Sequence, residues 1–176
     1  MSEIVVQKFG GTSVGTVDRI DSVAEIIKNA SKSNKIVVVV SAMGGETNRL
    51  VDLAKAFGDD PDKREFDALV STGETVSSAL LTMALHSKGV KAKSFSASQI
   101  SMRTTSSYSK AKILDVDAKK ILDVVENDTI PIITGFQGVT EGGDVTTLGR
   151  GGSDTTAVAI AAQIAAIRCD IYTDVD

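Results

Sequence analysis

A lysine, two glycines and two hydroxyl residues come together at Lys8-Phe9-Gly10-Gly11-Thr12-Ser13, an order suited to binding phosphate. Glycines let backbone N–H groups approach a ligand with no Cβ in the way. The hydroxyls of Thr12 and Ser13 add donors, and a helix starting after them aims its positive end at the same place. Lys8 contributes a compact, mobile charge. The lysine precedes the glycines and G-x-x-x-x-G-K-[ST] is absent, so this is not a Walker A loop. Alone, the segment reads equally well as a glycine turn with a solvated lysine at its rim. Residues 147–156, TLGRGGSDTT, form a second glycine-rich stretch that opens a helix. Two such loops in one short chain suit a ligand with phosphate at one end and another anion nearby.

Positioning these groups takes strands and helices in alternation. Apolar runs predict strands over residues 4–9, 36–41, 92–95, 130–134 and 169–173. Helical patterns lie between them, over 17–30, 46–57, 63–88, 118–126 and 155–167. Ile20, Val23, Ala24, Ile27 and Ala30 keep the 3.6-residue period of a half-buried helix. Residues 36–40 are apolar without alternation, as in a strand covered on both faces. Ser71-Thr72-Gly73-Glu74 interrupts the long helical pattern and marks a bend or a restart. Residues 139–146 predict a β-hairpin turning on Gly142-Gly143. The fold class that follows is α/β, a mostly parallel central sheet between helix layers with a β-hairpin insertion. Lys8, Ser41, Gly135 and Thr173-Asp174 each end a different predicted strand, and in a parallel sheet those carboxyl ends share one edge. One shared active site is expected there.

The segments Lys8 to Ser13, Ser41-Ala42-Met43-Gly44-Gly45, Ser71-Thr72-Gly73-Glu74, Gly135-Phe136-Gln137-Gly138 and Gly149 to Asp154, in this order and spacing, resemble the aspartate kinases of the amino-acid kinase superfamily. The similarity runs over essentially the whole chain. It implies that family's three-layer sandwich, ATP with Mg2+ as cofactor, and L-aspartate as the substrate phosphorylated on its side-chain carboxylate. That reaction opens the biosynthesis of lysine, threonine and methionine. The resemblance further implies a homo-oligomer in the full-length protein, and it makes residues 1–176 the N-terminal part of the catalytic domain. Such enzymes continue past Asp174-Val175-Asp176 into an adenine pocket, a second phosphate-binding lysine and regulatory domains. This chain would then carry the amino-acid subsite and half of the nucleotide site, with weak or no activity by itself. Two alternatives stand beside this reading. One is another acid kinase of the superfamily, acting on acetylglutamate or glutamate, against which the pairing of Ser71-Thr72-Gly73-Glu74 with Gly149-Arg150-Gly151-Gly152 speaks. The other is a catalytically silent binding or assembly module.

Phosphoryl transfer to a carboxylate needs positioning and positive charge around the moving group rather than many reacting protein atoms. Lys8 is assigned to bridge the phosphates and stabilise the transition state. Phe9, Gly10, Gly11, Ser41, Gly44 and Gly45 are assigned to the ATP phosphates, the glycines through their backbone. Asp154 resembles the aspartate that orients the catalytic lysine in the superfamily. Without the resemblance it is a carboxylate answering a helix dipole, worth under about 1 kcal/mol. Arg150 suits a two-pronged grip on a substrate carboxylate. Glu74 suits the substrate ammonium, or else the start of a helix. Thr47 resembles the family's substrate-contacting threonine, and Gly151, Gly152 and Ser153 are assigned to the substrate beside it. Thr173 and Asp174 resemble the start of the ribose and adenine contacts. The attacking carboxylate is already ionised at pH 7, so no histidine or cysteine base is required, and no metal-ligating residue is assigned. His86 reads as a surface or dipole-complementing residue, and Leu80 and Met83 as core.

Composition agrees. The 176 residues are 42% hydrophobic and 24% charged, enough for one domain with a sizeable core. A net charge of −4 and the absence of a Lys/Arg stripe argue against a nucleic-acid surface. No run approaches 18 uninterrupted apolar residues, and the N-terminus lacks the basic and apolar regions of a signal peptide. No membrane partner is expected, and a cytoplasmic location is the default. Cys169 is the only cysteine, which excludes an internal disulfide or a zinc set.

Overall fold

Short β-branched runs and amphipathic stretches alternate along the computed structural model, which describes residues 3–173. The order is β1 (Ile4–Phe9), α1 (Val17–Ala30), β2 (Lys35–Val40), α2 (Glu46–Lys55), α3 (Lys63–Val70), α4 (Thr72–Ser87), β3 (Ala92–Phe95), β4 (Arg103–Thr104), β5 (Ile113–Asp115), α5 (Ala118–Glu126), β6 (Ile130–Thr134), β7 (Gln137–Val139), β8 (Val145–Thr147), α6 (Gly152–Gln163) and β9 (Arg168–Tyr172).

Five strands pair in parallel in the order β3-β6-β2-β1-β9. Side chains alternate across the sheet, and both faces are covered. Val5 and Phe9 of β1 pack with Ile27 of α1 and Leu85 of α4 on one face. Val6 packs with Ile121 and Val125 of α5 and Ile160 of α6 on the other. This is the three-layer α/β arrangement expected from the sequence. By the same alternation Lys8 shares the α6 face with Val6.

Differences from the sequence reading are local. The long helical pattern is two helices, α3 and α4, with the break at Ser71 where the restart was expected. Together they form a 25-residue stretch long and apolar enough to cross a membrane, but half of its apolar window is buried inside the fold, as in a core helix. Helix α6 begins at Gly152, not at 155, and α2 ends at Lys55, not at 57. Met83 is 62% exposed and is not core, whereas Leu80 packs partly buried against it.

A second sheet, in the order β5-β4-β7-β8, was not anticipated. It contains the predicted hairpin, β7 and β8 pairing antiparallel around a turn with Gly143 at φ 91°. The added strands are short: β4 has two residues and β5 three.

Candidate active site

The carboxyl ends of the parallel strands open onto a cleft of about 330 Å³. At the end of β1 the chain turns through Gly10 and Gly11, and at the end of β2 through the segment from Ser41 to Gly45. These turns lie back to back, with the Gly44 N–H donating to the Gly11 carbonyl at 2.8 Å. A Cβ on Gly11 would stand 3.0 Å from the Ala42 carbonyl, so this close approach needs a residue without one.

Lys8 is 7% exposed and reaches toward the first turn of α6, where its Nζ lies 2.8 Å from Asp154 Oδ1. That oxygen is buried and has no hydrogen-bond partner. The ion pair holds the ammonium at the first turn of α6, beside the cleft. Helix α6 comes this close because Gly135, just past β6, leaves room; a Cβ there would meet Ser153 Oγ at 2.6 Å.

Glu74 enters from the first turn of α4 and is 3% exposed. Its Oε1 accepts from the Ala42 N–H at 3.3 Å, while Oε2 is buried without a partner. Burial pushes its carboxyl up to about 7, against the pull of the Glu74 and Ala42 backbone N–H groups. Beneath it, the Ser77 hydroxyl donates to the Ser41 carbonyl at 2.6 Å and ties α4 to the end of β2. Arg150 stands exposed between left-handed Gly149 and Gly151. Among the described residues its guanidinium has no partner.

The cleft therefore brings together Lys8, Gly11, Ser41, Gly44, Gly45, Thr47, Glu74 and the whole stretch from Arg150 to Asp154. Other assigned residues do not line it. Phe9 points to the opposite face, buried and stacked on Tyr172 at 4.6 Å between ring centroids. Strand alternation requires this once Lys8 faces α6. The Gly10 N–H donates to the Tyr172 carbonyl at 3.3 Å, which continues the β1–β9 ladder. Thr173 is exposed beyond the end of β9, and Asp174 lies outside the described residues. Asn48, Met43 and Phe136 line the cleft without having been singled out. For Asn48 the available signal was its place beside Thr47 in the first turn of a helix opened by Gly45. His86 sits away from the cleft, its Nε2 2.7 Å from the Ala92 carbonyl.

The amino acid kinase family profile matches residues 3–176. The chain belongs to the amino acid kinase family. An aspartate kinase of Stutzerimonas stutzeri is 55% identical over 174 residues, covering 98% of this chain and 42% of that protein. An aspartokinase of Geobacillus stearothermophilus is 55% identical over 173 residues, again with 98% and 42% covered. This amino acid kinase chain thus spans about two-fifths of the length of these relatives. Among solved structures, E. coli aspartokinase III in complex with lysine and aspartate superposes with a TM-score of 0.89 at 31% identity, over 99% of this chain and 50% of that one. The Synechocystis aspartate kinase gives 0.83 at 46% identity, over 97% and 28%. Isopentenyl phosphate kinase, at 15% identity and a TM-score of 0.74, shares the fold alone. In this amino acid kinase the cleft sits where open α/β sheets bind ligands, outside the strands' carboxyl ends.

Proposed function

We propose that this chain is the N-terminal part of the catalytic domain of an aspartate kinase, which transfers the γ-phosphoryl group of ATP to the side-chain carboxylate of L-aspartate. The observation that carries the reading is the set of charges around one cleft. A cation without a partner among the described residues (Arg150), a buried acid with one unsatisfied oxygen (Glu74) and a lysine backed by a carboxylate (Lys8 with Asp154) all face the same space. An amino-acid zwitterion needs the first two, and a moving phosphoryl group needs the third.

Each group takes one task. Arg150 grips the α-carboxylate with its planar fork, and Glu74, ionised, accepts from the α-ammonium. Thr47, Ser153 and the backbone of Gly151 and Gly152 enclose the amino acid. Lys8, oriented by Asp154, neutralises charge as it develops on the transferring group, while the Gly11 and Gly44-Gly45 turns bring backbone close to the phosphates. The substrate carboxylate attacks as the ion it already is at pH 7, so no protein base intervenes. ATP supplies the phosphoryl group, and Mg2+ neutralises phosphate charge when bound. Among the described residues no group of three or more His, Cys, Asp or Glu is placed to hold a metal ion. The ion would therefore be carried chiefly by the nucleotide's own oxygens. Beyond the site, the reading includes a role in lysine, threonine and methionine biosynthesis, a cytoplasmic location and a homo-oligomeric whole protein.

A substrate panel tests it. The longer polypeptide should release ADP with L-aspartate, and hydroxylamine should trap the acyl phosphate as a hydroxamate. Preference for glutamate or N-acetylglutamate would assign it to another acid kinase, and no acceptor-dependent ADP release would overturn the reading.

A further inference from the structure

Outside the cleft, one buried carboxylate ties together the two segments that carry its charged arms. Asp67, on α3, is fully buried, and its four hydrogen bonds come from neutral donors on the Ser109 loop and on the last residue of β8. Oδ2 accepts from the backbone N–H groups of Ser109 and Thr147, both at 2.8 Å. Oδ1 accepts from their hydroxyls, Ser109 at 3.0 Å and Thr147 at 2.9 Å.

Each contact leads to the cleft. Thr147 ends β8 and stands three residues before Arg150. Its carbonyl is held as well, by the Ala111 N–H at 3.0 Å. Ser109 adopts φ 65°, and its carbonyl lies 3.1 Å from where a Cβ on Gly149 would stand. The Ser109 loop therefore abuts the start of the Arg150 loop. On the helix side, the Ser71 N–H donates to the Asp67 carbonyl at 3.1 Å, and the Ser71 carbonyl accepts from Gln137 Nε2 at 2.5 Å. The chain restarts there as α4, whose first turn holds Glu74.

A carboxylate buried without a cation is costly unless its lone pairs are met. Here they are met, by donors that converge from a loop and a strand end on one helix. Such a network fixes geometry more sharply than apolar packing does. We infer that Asp67 is a positioning residue for amino-acid binding: it sets the separation of Glu74 from Arg150, and with it the length of amino acid the cleft accepts. The inference rests on reading the cleft as an aspartate site.

The test is made in the longer polypeptide with Asp67→Asn, whose amide nitrogen cannot accept and so leaves donors unmatched. The KM for aspartate should rise tenfold or more and the preference for aspartate over glutamate should narrow, with the KM for ATP within twofold of the unaltered protein. Thr147→Val removes one of the four bonds and keeps the side-chain shape; it should shift the same parameters less, and it carries the test should Asp67→Asn not fold. Equal rises in KM for ATP and aspartate, or no rise in either variant, overturn the inference. Hydrogen exchange gives a readout that needs no substrate. Amides over 106–110 and 147–152 should exchange faster in both variants, while those of β1, β2 and β6 keep their protection. Should the unaltered protein ignore aspartate, the reading of the cleft fails and exchange alone decides the clamp: faster exchange confined to the two loops upholds it, and unchanged exchange overturns it.

Discussion

Helices α1, α3 and α5 begin under side-chain caps, whereas α2, α4 and α6 do not. Thr16, Asp62 and Asp117 each accept from a first-turn N–H, at 3.2, 3.1 and 3.4 Å. Helices α2 and α6 follow directly on Gly45 and Gly151, both left-handed, at φ 82° and 73°, and neither has a side-chain cap bond. Helix α4 restarts at Ser71, also without one. The uncapped helices are those whose first turns line the cleft, through Thr47, Glu74 and the stretch from Gly152 to Asp154. A good cap is worth about 1 kcal/mol. Where positive helix ends face the cleft the molecule leaves out the side-chain cap, and glycine in its place loses only roughly a few tenths of a kcal/mol. Stability and anion binding compete for the same backbone groups.

The variants that probe this contrast differ in size. Lys8→Ala should have the largest effect, a loss of at least about 100-fold in kcat in the longer polypeptide, because it deletes the cation nearest the helix ends. Its circular dichroism should match the unaltered protein; near-normal turnover would show that the bare N-termini suffice or that another lysine serves. Arg150→Lys comes next. An ammonium cannot reproduce a two-pronged grip, so kcat/KM for aspartate should fall by about 10-fold or more with ATP affinity little changed. Collapse of ATP binding instead would move Arg150 to the nucleotide.

Glu74 gives a pH signature with two signs. Its carboxyl is raised by burial to about 7, so kcat/KM for aspartate should fall about tenfold per pH unit below that value. In Glu74→Gln that limb should be flat and low. Stability runs the other way. The folded protein holds this proton to higher pH than the unfolded chain, whose ordinary value is 4.5. Glu74's contribution is therefore full below about 4.5 and is lost as pH rises through 7. Glu74→Gln should raise stability at pH 8, by no more than the roughly 3 kcal/mol the shift represents, and the gain in Tm should shrink toward zero as pH falls to about 4. A Tm difference independent of pH would contradict the assignment.

The smallest effects bear on the caps themselves. Thr16→Ala should cost about 1 kcal/mol of stability with unaltered kinetics. Gly151→Ala should cost about as much through its left-handed φ, and should also lower kcat/KM for aspartate several-fold. Equal kinetics in the two variants would erase the distinction between capped and bare helices.

Much of this architecture is legible in the residue pattern. The parallel strands read directly, because Ile36, Val37, Val38, Val39 and Val40 need cover on both faces, and the cleft follows from strand ends sharing an edge. The second sheet was hidden because Arg103-Thr104 and Ile113 to Asp115 are too short to show a period. Lys8 to Gly11 reads as one contiguous binding segment, but strand alternation turns Phe9 into the core and the β1–β9 ladder takes the Gly10 N–H. The residue pattern starts α6 at 155 because glycine is a poor helix former, yet Gly151 serves as its cap. Asp67 carried no local signal at all. It is one acid on a helix, and its partners stand 42 and 80 residues away in the chain.

Calorimetry on residues 1–176 at pH 8, where Glu74 is ionised, tests most directly whether this chain holds the amino-acid half of the cleft. L-Aspartate should give a saturable heat that disappears in Arg150→Ala. MgATP should bind more weakly than in the longer polypeptide, since among the described residues Thr173, past the end of β9, is exposed. Tight ATP binding with no heat from aspartate would contradict the account.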